Sequence, residues 1–144
     1  MGGPRILSDA ETKQLKDGAD FRFMARDPAL FAKLEMAGEA QVNGEVTDCA
    51  KLTWKSERVT TECYSRSTGL LLESRSKNVT PQGEIEATTR MHDYKAVGGV
   101  LMAHRMVNDM MGMQQTITFT EAAVGPMSAS HFELPAEIKA LKKP

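Results

Sequence analysis

Turn chemistry is what most restricts this chain. After Gly38, tight-turn signals recur at Asn43-Gly44, Lys55 to Arg58, Ser65 to Gly69, Thr80 to Gly83, Gly98-Gly99 and Asp109 to Gly112. Asn43-Gly44 is the strongest of them, because a two-residue hairpin turn needs positive φ at both positions. Parallel strands require a crossover of a dozen or more residues, and none of these gaps has room for one. The spacing predicts an antiparallel β-meander of about six strands, at 45–54, 59–65, 70–78, 84–97, 100–108 and 113–122.

Register follows from asking which turn lengths keep one face apolar, since a slip of one residue turns every side chain to the other face. A four-residue turn at 55–58 sets Trp54 opposite Val59, Lys51 opposite Glu62 and Ala50 opposite Cys63. The next turns set Cys63 opposite Leu72, Leu72 opposite Met91 and Met91 opposite Met106, with Asp93 opposite His104. A loop at 109–112 then sets Met102 opposite Phe119 and His104 opposite Ile117. One inner face results: Leu52, Trp54, Cys63, Leu72, Met91, Met102, Met106, Ile117 and Phe119. In this register Cys49 and Cys63 lie on opposite faces, out of reach of a disulfide, and are expected as free thiols. A three-residue turn at 55–57 would set the cysteines directly opposite and pair Trp54 with Arg58, spoiling the inner face.

Before Gly38 the signals are helical. Ser8-Asp9-Ala10-Glu11 is a capping box, predicting a helix to about Asp17 that Gly18 ends. Asp27 before Pro28 reads as a second N-cap, followed by Leu30, Phe31 and Leu34 at i, i+1 and i+4. Phe21, Phe23 and Met24 add apolar surface between the two. The expected class is α+β in a single domain over 1–144. Short helices at 1–36 would pack on a curled, half-barrel-like meander at 37–122, with a C-terminal segment at 123–144.

Several function classes are disfavoured. With 18 basic and 19 acidic residues and no basic stripe, the chain lacks the footprint that nucleic-acid binding requires. No run approaches the roughly 18 apolar residues of a membrane helix, so no transmembrane segment is expected. Met1-Gly2-Gly3-Pro4 lacks the features of a signal peptide. No catalytic residue is nominated. His104 and Asp93 are expected cross-strand neighbours, as a general base and its orienting carboxylate would be, but no nucleophile stands beside them. A half-buried histidine satisfied by a carboxylate is the simpler reading. His92 and His131 have no partners at metal spacing, so neither metal site nor cofactor is expected. Methionine is the outlier, ten in all. His104, Met106, Met110, Met111 and Met113 gather near one hairpin, where soft thioethers could hold Cu(I). Methionine also fills irregular cores and lines adaptable apolar surfaces. Met110 and Met111, at the loop tip, form a candidate contact loop.

A longer pattern runs through Tyr64, Thr68-Gly69-Leu70-Leu71, Gln82-Gly83-Glu84-Ile85-Glu86, Asp93-Tyr94-Lys95-Ala96-Val97, Gly99-Val100-Leu101-Met102 and the closing Phe132, Leu134 and Pro135. Over roughly 37–135 it resembles the second half of the LolA/LolB-like domain, the periplasmic lipoprotein carriers and their bacterial relatives of unassigned function. Ser65, Gly98 and Ala103 depart from the family pattern, residues 122–125 offer no asparagine, and the family's first group of strands has no counterpart. The resemblance implies a concave apolar sheet with a helical lid that holds acyl chains. The expected function is a non-enzymatic carrier of a hydrophobic ligand or lipoprotein acyl chain in the periplasm or cell envelope. Trp54, Leu72, Met91, Met102, Met106, Ile117 and Phe119 would line the ligand surface. The alternatives are a structural or interaction module with a closed core and, more weakly, a Cu(I)-binding domain. A partner protein or second copy could pair along an exposed sheet edge.

Overall fold

Seven antiparallel strands, each hydrogen-bonded to its neighbours in sequence, make up most of a computed structural model that describes residues 6–20, 22, 26–80 and 83–141. The capping box forms as its chemistry predicts. The Glu11 N–H donates to the Ser8 hydroxyl at 3.3 Å, and the Ser8 N–H donates to the Glu11 carboxylate at 2.9 Å. Helix α1 spans Asp9–Ala19, running through Gly18. Asp27 also caps, accepting from the Ala29 N–H at 2.9 Å, but it starts only a 3-10 turn over Pro28–Leu30. Strands β1 (Phe31–Val42), β2 (Glu45–Trp54), β3 (Val59–Ser65), β4 (Leu71–Thr80), β5 (Gly83–Val97), β6 (Val100–Met110) and β7 (Met113–Thr118) follow. A 3-10 turn at Ala129–Phe132 and a short helix α2 at Ala136–Leu141 come after the sheet. No described helix is long and apolar enough to cross a membrane.

The class is all-β, which corrects the α+β expectation. The sheet is open, with β1 and β7 as its edges, and among the described residues no helical layer covers it, α1 lying only beside β4. Leu15 of α1 is 60% exposed, so the helix does not seat an apolar stripe on the strands. Phe21, Phe23 and Met24 lie outside the described residues. The expected helix after Pro28 is instead β1, a seventh strand. Its error has a specific cause. Phe31 and Leu34 are three apart, a spacing that reads as one face of a helix and as two faces of a regular strand. A bulge between Phe31 and Lys33 sets Phe31 opposite Trp54 and Leu34 opposite Leu52, so both share one face of a bent strand. Asn43 and Gly44, at φ 54° and 81°, then turn the chain into β2 as expected.

The β2–β3 turn is one residue shorter than the apolar pattern demanded. The Trp54 N–H donates to the Arg58 carbonyl at 2.8 Å, and Glu57 takes a positive φ of 71° between them. Cys49 therefore sits directly opposite Cys63, and the two form a disulfide with Cα atoms 4.0 Å apart. The expectation of free thiols is wrong, and the alternative turn is the real one. A bulge then intervenes. Cys63 pairs with Glu73 while Tyr64 pairs with Leu71, leaving Leu72 as the extra residue. Beyond it the expected β4–β5 register holds from Glu73↔Arg90 to Thr80↔Gly83, and Met91 pairs with Met106 as expected.

With that register, alternation defines two faces. The front carries Leu52, Trp54, Thr60, Glu62, Ala87, Met91, Met102, Met106 and Ile117. The back carries Cys49, Cys63, Glu73, Arg75 and Arg90. Leu72 packs with Val42, Cys49 and Cys63 on the back. Cys63 and Leu72 thus leave the expected inner face. The last hairpin also shortens: Met111 and Gly112, at φ 54° and 78°, make a two-residue turn in place of the four-residue loop. That shift of two preserves the face, setting Met106 opposite Ile117.

Candidate functional site

The front face divides into a closed part and an open part. On β2 and β3, Leu52, Trp54, Thr60 and Glu62 are all buried. The Trp54 indole meets the Phe31 ring edge-on at 4.6 Å, and its N–H donates to the Thr60 hydroxyl at 3.0 Å. Such a donor needs a partner once water is excluded. Arg26, which precedes the 3-10 turn, reaches down to donate to Glu62 at 2.8 Å. The Tyr64 hydroxyl donates to the same carboxylate oxygen. Burial, and then the Glu62 charge, push the Tyr64 pKa well above its ordinary value. The Lys55 N–H donates to the Leu30 carbonyl at 2.9 Å, which ties the covering segment to the β2–β3 turn. Ion pair, aromatic contact and backbone bond together close this part of the face.

The open part lies on β5, β6 and β7. Met91, Met102, Met106 and Ile117 are half-buried, and Phe119, just past β7, is 38% exposed. The Phe119 N–H donates to the His104 carbonyl at 2.8 Å, which holds the chain against β6 beyond the last strand residue. Of the seven residues expected to line a ligand surface, Trp54 lies in the closed part, Leu72 on the back, and the other five gather along this strip. Leu34 and Met36, at 57% and 70% exposure, stand on the front of β1 across the closed part.

His104 is buried, with Nδ1 3.0 Å from the Met102 carbonyl. Asp93 is not its partner. The Asp93 carboxylate accepts from Arg105 Nε at 2.9 Å, which holds its pKa below the usual carboxylate value. Asp93 has a positive φ of 55°, so the pleat that would have aimed it across at His104 is broken there. The methionine hairpin is dispersed. Met110 pairs with Met113 at the turn, Met111 is 77% exposed, and His104 is six residues back along β6, about 20 Å by strand rise.

The sequence reading missed the back face. Glu73 is only 3% exposed and lies between Arg75 and Arg90, whose Nε atoms stand 2.7 and 2.8 Å from its two oxygens. The available signal was Glu73 and Arg75 two apart on one strand, hence on one face, with Arg90 directly across. A cavity of about 670 Å³ lies near the back of β3 to β5 beside Lys13 of α1, with Arg58, Arg75, Lys77 and Glu86 in its lining. None of the seven expected ligand residues lines it. Among the described residues, no group of three or more His, Cys, Asp or Glu side chains is placed to hold a metal ion. No protein-family model matches the chain, and no curated protein or solved structure shows significant similarity to it.

Proposed function

We propose that this domain is a non-enzymatic carrier that binds a long apolar chain, such as the acyl chain of a lipid or lipoprotein, along the β5–β7 strip. The observation that carries the reading is the row of Met91, Met102, Met106 and Ile117 on the front of β5 to β7, each half-buried and so partly open to solvent. Flexible thioethers suit a ligand without fixed shape. Each buried methylene is worth about 0.8 kcal/mol. Ten of them supply about 8 kcal/mol, the scale of a micromolar dissociation constant before ordering costs. Long chains should therefore bind and short ones should not. The Cys49–Cys63 disulfide supports an oxidising compartment, which suits the periplasm or cell envelope that the LolA/LolB-like resemblance implies.

The test is titration with a fluorescent long-chain acyl probe. Saturable binding, weakened at least tenfold by Met106→Glu and unchanged by Leu34→Glu on β1, supports the carrier. An absence of saturable binding leaves a structural or interaction module and rejects the carrier.

A further inference from the structure

The two edges of the sheet are guarded unequally. β1 carries Lys33, Glu35 and Glu39, with Lys33 2.8 Å from Glu35 and Glu39 2.6 Å from Arg66. Two register irregularities bend it, and Gly38 sits at φ 92°. Charges and bulges on an edge obstruct the addition of another strand. β7 has neither. It reads Met113-Gln114-Gln115-Thr116-Ile117-Thr118, without charge, proline or glycine. Its ladder to β6 is regular from Met110↔Met113 to Arg105↔Thr118, and all its residues are exposed except the half-buried Ile117.

The hydrogen-bond alternation of β7 can be read out. Met113 closes the two-residue turn against Met110, and the Phe119 N–H donates to the His104 carbonyl at 2.8 Å. Alternate residues of an antiparallel strand bond the same neighbour. Met113, Gln115 and Ile117 thus turn their backbone groups to β6, while Gln114, Thr116 and Thr118 turn theirs to the open edge.

We propose that a second copy of this chain occupies that edge, β7 pairing antiparallel with β7 about a two-fold axis at Thr116. A two-fold interface must be self-complementary, and this strand is. The axis sets Thr116 opposite Thr116 and Gln114 opposite Thr118, so every outward N–H and C=O meets a partner, for about six backbone bonds. On the front face it sets Met113 against Phe119 and Gln115 against Ile117. The strips of the two copies then run together as one apolar surface. No charge on either strand opposes the pairing. The inference rests on β7 alone and stands whether or not the strip binds an acyl chain.

Sedimentation equilibrium between about 1 and 500 µM, with amide hydrogen exchange at both ends of that range, tests it. We expect a reversible dimer that Thr116→Lys, which sets two lysines together at the axis, weakens at least tenfold. Gln41→Lys on β1 should leave it unchanged. In the unmodified protein the Gln114, Thr116 and Thr118 amides should slow as concentration rises, while those of Met113, Gln115 and Ile117 are slow throughout. A monomer across the whole range overturns the proposal. So does a dimer indifferent to Thr116→Lys, or concentration-independent exchange at the three outward amides, which needs no variant to fold.

Discussion

Strands β1 to β4 and strands β5 to β7 belong to one sheet but are held together differently. In the first region each face holds a buried block, with Leu34 and Met36 standing exposed beside it on the front of β1. The Cys49–Cys63 disulfide, Val42 and Leu72 fill the back, while Leu52 and Trp54 fill the front. Each face also holds a buried carboxylate that arginine neutralises, Glu62 by Arg26 in front and Glu73 by Arg75 and Arg90 behind. In the second region only Ala87 and His104 are buried, and the front is a strip of half-buried methionine. Burying a charge costs several kcal/mol unless it is paired, so the ion pairs mark where water is excluded. Across β5 to β7 the front is apolar without such pairs and stays partly open to solvent.

That contrast predicts unequal sensitivity to substitution. Trp54→Ala removes the Phe31 contact and the Thr60 hydrogen bond from a 3% exposed site, and should cost about 3–5 kcal/mol in urea unfolding. Met91→Ala, in the open strip, should cost about 1 kcal/mol, because its environment is already partly solvent. Equal losses at the two sites would erase the distinction between the regions. Reducing the disulfide, whose cysteines are separated by 14 residues, should cost about 3 kcal/mol through the entropy of the unfolded chain. The loss should appear in unfolding with and without reductant. Because both sulfurs lie in the first region, hydrogen exchange should quicken in β2 and β3 and stay nearly unchanged in β6 and β7. Uniform quickening would mean that the sheet opens as one unit.

How much of this was legible in the sequence depended on whether the controlling residue announced itself. Asn43-Gly44 and Gly98-Gly99 did, and β2, β5 and β6, which they bound, came out close to where expected. The β2–β3 turn did not, because its positive-φ position is Glu57, a residue type that seldom adopts that conformation. The expected register there was therefore one residue long, which moved Cys63 to the wrong face and hid the disulfide. The bulge at Leu72 restored the register, so Met91, Met106 and Ile117 were still assigned to the right face. β1 was lost to local propensity. Ala32-Lys33-Leu34-Glu35-Met36-Ala37 is made of good helix formers, and pairing with β2 overrides them. Of the candidate site, the methionine strip was visible as periodic apolar positions. The arginines that close the neighbouring region were not, because a charged residue on a strand gives no local sign that its partner lies across the sheet.

The central claim is that the β5–β7 strip is a ligand-binding apolar surface beside the buried block of Leu52 and Trp54, and methionine-methyl NMR on the intact domain tests it most directly. On titration with a long-chain fatty acid, the Met91, Met102 and Met106 methyls should shift together and saturate at one stoichiometry. Met36, on the front of β1, should stay fixed. If all methionine methyls drift without saturating, or those three do not move while Met36 does, the strip is not a binding surface and the contrast between the two regions has no functional meaning.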